Sequence, residues 1–352
     1  MPKDNSHLRK IMNRGLTLIT PGELPNDSEE GGSDIIEFLL AEPYSTISGY
    51  FLDNKFKEIV PVDSESGLFL PLIPVSERSD SNDLKALISK HGIVIPSKGT
   101  ILAGREQSSE HPLILFSIAC FSLFVKFFHL ILRKKNEGKL KAEDFEYIDR
   151  IRMHEYRYTP SSTGKKWIFD EHNIPDRITA AGRSIVSDRL VDSIFGNISA
   201  LEEGHVFISK AGSFLDDLEN QVVKVPLNGT IGSSINPSSE VEVHRNIYKA
   251  SRYTHIIHGH PLFTVILSLD KKGTGDTLLL HSGESIPVID GEDESGNSNL
   301  PGSVPSVIQK NGNAIVKGHG IFSAGEKSFS NTLQNMKDIE NYCRDEYFRR
   351  LK

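Results

Sequence analysis

Residues 112–132, PLILFSIACFSLFVKFFHLIL, narrow most sharply what this chain can become. About 20 consecutive apolar residues are enough to cross a bilayer as a helix, and a run this apolar must otherwise lie inside a domain core. Lys126 and His129 interrupt it, and ionisable groups at membrane depth are costly. The segment is therefore read as a buried helix, with a membrane span as the competing reading. A core able to hold it is available, because 38% of the 352 residues are hydrophobic, 18 of them Phe. At roughly 150 residues per domain the length corresponds to about two domains.

Charge removes other classes. The 40 Lys and Arg stand against 47 Asp and Glu, a net of −7, so no global basic field draws the chain to nucleic acid or an anionic membrane. Neither is expected as a partner. Residues 1–15 lack the apolar stretch of a secretory leader, and the two cysteines, Cys120 and Cys343, are far apart. A reducing, cytoplasmic setting is expected.

Residues 1–34, polar and ending in NDSEEGGSD, read as a flexible lead-in. Residues 35–135 alternate apolar stretches with turn clusters and read as an N-terminal α/β module. Residues 136–173 read as a linker carrying a helix-like AEDFEYIDRIR and the loop TPSSTGKK, and residues 174–352 as a second module. There, residues 176–191 have helical spacing with Asp176 as the expected N-cap. PSSEVEVHRNIYKA (237–250) reads as a helix with Pro and Ser in its first turn, and THIIHGHPLFTVILSL as the strand after it. NAIVKGHGIFSAG reads as a strand pair around a Gly-rich turn, before a closing helix.

His258 and His260 are two apart on that expected strand, where period-two alternation projects both imidazoles to one face. His319 lies between two glycines in KGHGIF. Three histidines with an open fourth position suit a catalytic zinc site, although an HxH pair alone also suits core or surface histidines. Glu240 is a candidate fourth ligand or general acid/base, or else a first-turn carboxylate favoured by the helix dipole. His244, one turn on, reads as a packed or supporting histidine. Ser238 and Ser239 would open the helix, where free N–H groups can bind an anion such as phosphate or be capped by the serines themselves. Asn197 and Gly212, in neighbouring loops, could complete such a pocket.

The order GNIS, ISKAG, PSSEVEVH, HGHP, GHG resembles the class II aldolase/adducin family over residues 174–352. The resemblance implies a three-layer α/β/α sandwich with a central mixed or antiparallel sheet. It implies a divalent metal, usually zinc, on His258, His260 and His319, with Glu240 as the catalytic acid/base. It places a phosphate pocket on Asn197, Gly212, Ser238 and Ser239. Two departures stand out: Ser209, Lys210, Ala211 and Gly212 replace the family's frequent Thr-Pro-Ser/Thr-Gly, and Ala200 replaces a basic residue. The function implied is a zinc-dependent lyase of aldolase type, cleaving a small, phosphorylated hydroxy-carbonyl or sugar substrate through a metal-stabilised enediolate. Epimerase, dehydratase and decarboxylase chemistry use the same scaffold, and a non-catalytic adducin-like module is the alternative from another class. Family members build active sites between subunits, which implies a homo-oligomer.

The first module contains a weaker echo of the second. AEPYSTISGYFLD lies on GHPLFTVILSLD with Pro43 over Pro261, and KGTILAG lies on HGIFSAG with Gly99 over Gly320 and Gly104 over Gly325. Leu40, Glu42 and Lys98 then stand where the second module has its histidines. The first module is read as a possible degenerate partial copy without a metal site.

Overall fold

The computed structural model describes residues 17–18, 35–77, 81–104, 111–154, 173–192, 194–280, 283–292 and 298–352. The chain divides into two compact units, Met1–Tyr156 and Arg157–Lys352. The expected lead-in, apart from residues 17–18, and the TPSSTGKK loop lie outside the described residues.

In the first unit the described elements are β1 (Thr17–Leu18), β2 (Ile35–Leu40), α1 (Tyr44–Asp53), β3 (Glu58–Ile59), α2 (Ser64–Phe69), β4 (Ile73–Pro74), α3 (Ser81–His91), β5 (Ile93–Ser97), β6 (Thr100–Gly104), α4 (His111–Asn136) and α5 (Ala142–His154). One sheet runs β1-β2-β6-β5, with every pair antiparallel. The apolar run that opened the sequence reading is α4. By length and composition it would also cross a bilayer, yet its side chains are buried within this unit: Phe116, Phe124, Phe127 and Phe128 are each 2% exposed or less. Phe116 stacks on Phe38 of β2 at 4.5 Å between ring centroids, and Phe127 meets Tyr50 of α1 edge-on at 4.9 Å. Burying one Phe contributes about 2–3 kcal/mol, so these four are a large part of the unit's cohesion. Asp144 pins α5 by accepting from Tyr50 Oη at 2.9 Å and Lys134 Nζ at 2.7 Å.

The second unit contains α6 (Ile174–Ser187), β7 (Gly196–Glu202), β8 (His205–Ser209), β9 (Val222–Pro226), α7 (Val241–Ala250), β10 (His255–Gly259), α8 (Leu262–Leu269), β11 (Asp276–Leu279), β12 (Ser285–Ile289), α9 (Leu300–Asn311), β13 (Asn313–Val316), β14 (Gly320–Gly325) and α10 (Phe329–Leu351). Among the described residues its sheet has eight strands ordered β11-β12-β13-β14-β10-β7-β8-β9, of which only β12–β13 pair in parallel. Helices α7 and α9 cover one face, enclosing Val206, Ile208, Ile256, Phe322 and Ala324. Helices α6, α8 and α10 cover the other. This is a three-layer α/β/α sandwich around a mixed sheet.

Three local expectations change. Helix α6 starts at Ile174, because Asn173 accepts the Asp176 backbone N–H at 3.1 Å and Pro175 favours the first turn. Asp176 is therefore inside the helix and is not its cap. Helix α7 starts at Val241 with Glu240 as N-cap, four residues later than the reading from Pro237. The cause is competition for the backbone: Ser238 N donates to Ser209 O at 3.0 Å and Pro237 bridges to Lys210, so this stretch is held to the end of β8. The expected single strand from Thr254 is β10 followed by α8. A continuous apolar run fits a buried strand and a buried helix equally well, and Pro261, at φ −62°, sets the N-cap that divides them.

The strand plan of the two units is shared in part. In the first, β2 pairs with β6 and β6 with β5; in the second, β10 pairs with β14 and β14 with β13, all antiparallel. Gly92 and Gly312 each end a helix at φ +75° and +70°, where glycine avoids the Cβ penalty. Gly104 N donates to Gly92 O at 2.8 Å, as Ala324 N does to Gly312 O at 2.8 Å. The hairpin turns differ in length: Lys98 and Gly99 join β5 to β6, whereas Lys317, Gly318 and His319 join β13 to β14. Aligned by their turns, Lys98 lies over Lys317 and Gly99 over Gly318, so His319 is a third turn residue, while the hairpins keep equal length between the Gly92–Gly104 and Gly312–Ala324 bonds because β5 is irregular between Val94 and Ser97.

Candidate metal centre

Strand β10 lies mid-sheet, and on it His258 is directly opposite Asn197 of β7 and Phe322 of β14. Directly opposed residues share a face, so all three point toward α7. His260 sits one residue beyond the strand's end, against the α8 N-terminus. His319 enters from the three-residue β13–β14 turn, which is closed by His319 N donating to Val316 O at 3.1 Å. Glu240 enters from the start of α7.

These four side chains converge. The ligand nitrogens of His258, His260 and His319 all lie within 4.8 Å of one another, and the three residues form a group that could hold a metal ion. His258 Nε2 is 2.9 Å from His260 Nε2 and 3.4 Å from Glu240 Oε2. His319 Nε2 is 3.1 Å from Glu240 Oε1, and Asn197 Nδ2 donates to Glu240 Oε2 at 2.6 Å. The histidines are buried at 1%, 3% and 7% exposure. His258 is oriented by a backbone carbonyl: its Nδ1 lies 3.0 Å from Ile321 O, so Nδ1 carries the proton and Nε2 offers a lone pair to the centre. Phe322 stacks on its ring at 4.0 Å, and Phe195 lies against His260 at 5.5 Å.

The electrostatics suit a cation. Burial pushes His258 down to about 4 and His260 well below the usual imidazole value, which keeps these nitrogens unprotonated at neutral pH. For Glu240, burial favours the neutral acid, but the neighbouring His258 and the hydrogen bonds from His319 and Asn197 outweigh it and hold the carboxyl well below the usual range. Three imidazoles and one carboxylate form a donor set that fits a borderline divalent ion such as zinc.

His244 stands apart from this group. Its Nδ1 lies 2.6 Å from Ser199 Oγ, which lies 2.6 Å from Tyr248 Oη. Burial pushes His244 down to about 3. Glu240, His244 and Tyr248 thus occupy successive turns of α7 on its sheet-facing side, with the carboxylate at the metal centre and the other two in the core.

The remaining sequence candidates divide. Asn197 is buried beside the Glu240 carboxylate. Ser238 is buried at 6%, and Ser239 and Gly212 are exposed. The Lys210–Pro237 bridge brings the loops carrying Gly212 and the serines together, and Gly212 takes φ +71°. The serines precede α7 and do not form its first turn. Ser238 Oγ instead accepts from Glu240 N at 3.3 Å, supporting the acidic residue directly. Lys210 Nζ is turned away to Asn220 O at 2.9 Å. Sequence reasoning missed Phe322 and Phe195; alternation along GIFSAG was the available signal for Phe322.

Residues 176–347 match the family described as Class II Aldolase and Adducin N-terminal domain. A comparison with curated protein sequences finds no match. Among solved structures, l-fuculose-1-phosphate aldolase from Thermus thermophilus is 24% identical, with 49% of this chain and 92% of that one covered and a TM-score of 0.44. YgbL from Escherichia coli is 20% identical, with 49% and 88% covered and a TM-score of 0.45. A sugar-phosphate aldolase from Thermotoga maritima is 16% identical, with 50% and 94% covered and a TM-score of 0.38.

Proposed function

Since residues 176–347 match the class II aldolase and adducin domain family, we propose that this chain is a zinc-dependent lyase of aldolase type acting on a small, phosphorylated hydroxy-carbonyl compound such as a sugar phosphate. The observation that carries this reading is the convergence of His258, His260 and His319 with an ionised Glu240 at a buried centre. Bound there, a divalent cation would supply Lewis acidity toward the substrate carbonyl and adjacent hydroxyl, favouring negative charge on those oxygens.

The protein's own groups do the rest. Glu240 is ionised and acts as the proton acceptor and donor, held by Asn197 on one oxygen and His319 on the other. Ile321 O keeps the His258 tautomer that faces the centre. Phe322 and Phe195 wall the histidines with apolar surface, which strengthens electrostatic contacts inside. Ser239 and Gly212 are exposed on adjacent loops, and in this reading they would receive the phosphate. Epimerisation, dehydration and decarboxylation would use the same groups, and the products formed from phosphorylated ketoses distinguish them.

The same proposal treats the first unit as a degenerate partial copy and the protein as a cytoplasmic homo-oligomer; Cys120 and Cys343 are free and buried, which suits a reducing compartment. Metal analysis of the purified chain tests the central claim. We expect about one zinc per chain, lost in His258→Ala and His319→Ala. Metal content that is low and unchanged by either substitution overturns the enzyme reading and favours a non-catalytic adducin-like module.

A further inference from the structure

Each histidine of the centre is held in a different way. His258 is locked within β10, paired on both sides, with its ring bound to Ile321 O. His319 belongs to a closed hairpin turn. His260 lies outside any strand, in the two-residue step between β10 and α8, so its placement depends on where α8 begins.

That beginning has an unusual anchor. The N-cap of α8 is Pro261, whose side chain makes no cap hydrogen bond, and the free N–H groups of a first helical turn need acceptors. Glu340 supplies them from 77 residues away in sequence. Its Oε1 accepts from Phe263 N at 2.8 Å, and its Oε2 accepts from Thr264 N at 2.8 Å and Thr264 Oγ1 at 2.7 Å. The carboxylate is 0% exposed on α10. Helix α8 also reaches the third histidine's turn, because Gly318 N donates to Ser268 Oγ at 2.9 Å. A shift of α8 would therefore disturb His260 directly and His319 through Ser268.

We propose that Glu340 is a positioning residue for the metal centre, clamping the first turn of α8 and so fixing His260 as a ligand. This rests on the metal-dependent reading above. A carboxylate serves because both its oxygens accept. A glutamine in its place would set an NH2 group against one backbone N–H and release half the clamp.

The test uses the full chain loaded with Co2+, whose visible absorption reports ligand geometry, and zinc affinity measured by chelator competition. In Glu340→Gln we expect zinc binding weakened about tenfold or more, the usual scale for residues that orient ligands, together with an altered cobalt spectrum. Lys337→Met is the control: Lys337 is buried on the same helix and pairs with Asp188, the residue that follows α6. It should lower stability while leaving affinity and spectrum as in wild type. If Glu340→Gln does not fold, Thr264→Val removes one of the three donors and should shift the spectrum, with Thr264→Ser restoring it. Wild-type affinity and spectrum in Glu340→Gln, or in Thr264→Val where that variant is used, overturn the positioning role alone. A wild-type protein that takes up neither metal overturns the metal-dependent reading and this inference with it.

Discussion

The two units build the same hairpin and use it differently. In the first, Ser48 Oγ on α1 donates to Ser45 O at 2.8 Å and accepts from Gly99 N at 2.9 Å. In the second, Ser268 Oγ on α8 donates to Val265 O at 2.7 Å and accepts from Gly318 N at 2.9 Å. One serine, bonded back to its own helix, thus holds a β-hairpin turn in both places. The helix follows a proline N-cap each time, Pro43 and Pro261. This device persists where no histidine cluster exists among the described residues, so it belongs to the scaffold. What the second unit adds is one residue in the turn, His319, and a helix, α7, that delivers Glu240 to the face shared by His258 and Asn197. The first unit's sheet has Leu40 at the end of β2 and a two-residue turn. Scaffold and chemistry are therefore separable here, and a three-residue turn carrying His319 in place of a two-residue turn marks the boundary between them.

The sharpest way to break this comparison is to delete His319, giving the second hairpin the turn length of the first. We expect the hairpin and sheet to persist and zinc binding to fall by about a hundredfold or more, since one of three imidazole ligands is gone. Metal content and circular dichroism on the same sample check both halves of the claim. Retained zinc would mean that the extra residue is not what separates the units.

The same division explains what the sequence revealed. The convergent cluster was legible because chemistry at a metal would need particular residue types: His258, His260, His319 and Glu240 stand out as HGH, GHG and an acid, whatever their exact secondary structure. Their placement was less legible. His260 reads as a strand residue until Pro261 is recognised as the start of α8, because LFTVILSL is apolar throughout and carries no period. Ser238 and Ser239 read as helix openers until the backbone bond from Ser238 to Ser209 is known, and that bond joins residues distant in sequence. Glu340 left no trace in the pattern at all. Its partners are backbone N–H groups, which every residue but proline possesses, so no residue type 77 positions earlier signals the contact. The apolar run of α4 was legible as a buried helix from its length and its two ionisable interruptions, without any partner being known.

Acid should separate the units next. In the metal-free protein, burial pushes both His255 and His258 from 6.5 down to about 4. The unfolded chain therefore takes up protons near 6.5 while the folded second unit resists until about 4. The resulting stability is fully present above 6.5 and is lost as the pH falls through that window. In the first unit the most buried of the carboxylates held below their ordinary value is Asp144. Burial raises its carboxyl, but Lys134, the Lys141 N–H and Tyr50 outweigh this and hold it below 3.8. Its contribution is kept above 3.8 and lost only at lower pH. Amide hydrogen exchange resolved by peptide should show the second unit losing protection first between pH 6.5 and 4. Simultaneous loss in both units would show that buried histidines do not set the difference.

The smallest effect tests the shared serine itself. Ser48→Ala and Ser268→Ala each remove one side-chain hydrogen bond from a turn glycine, at a cost of about 1 kcal/mol in unfolding free energy. Denaturant titration should find both losses of similar size, because the device is the same. Only Ser268→Ala should also change the cobalt spectrum, since its turn carries His319 and the turn held by Ser48 carries no ligand. A spectrum unmoved by Ser268→Ala would leave α8 coupled to the metal centre through His260 alone, making the serine a scaffold feature in both units and concentrating the positioning role in Glu340.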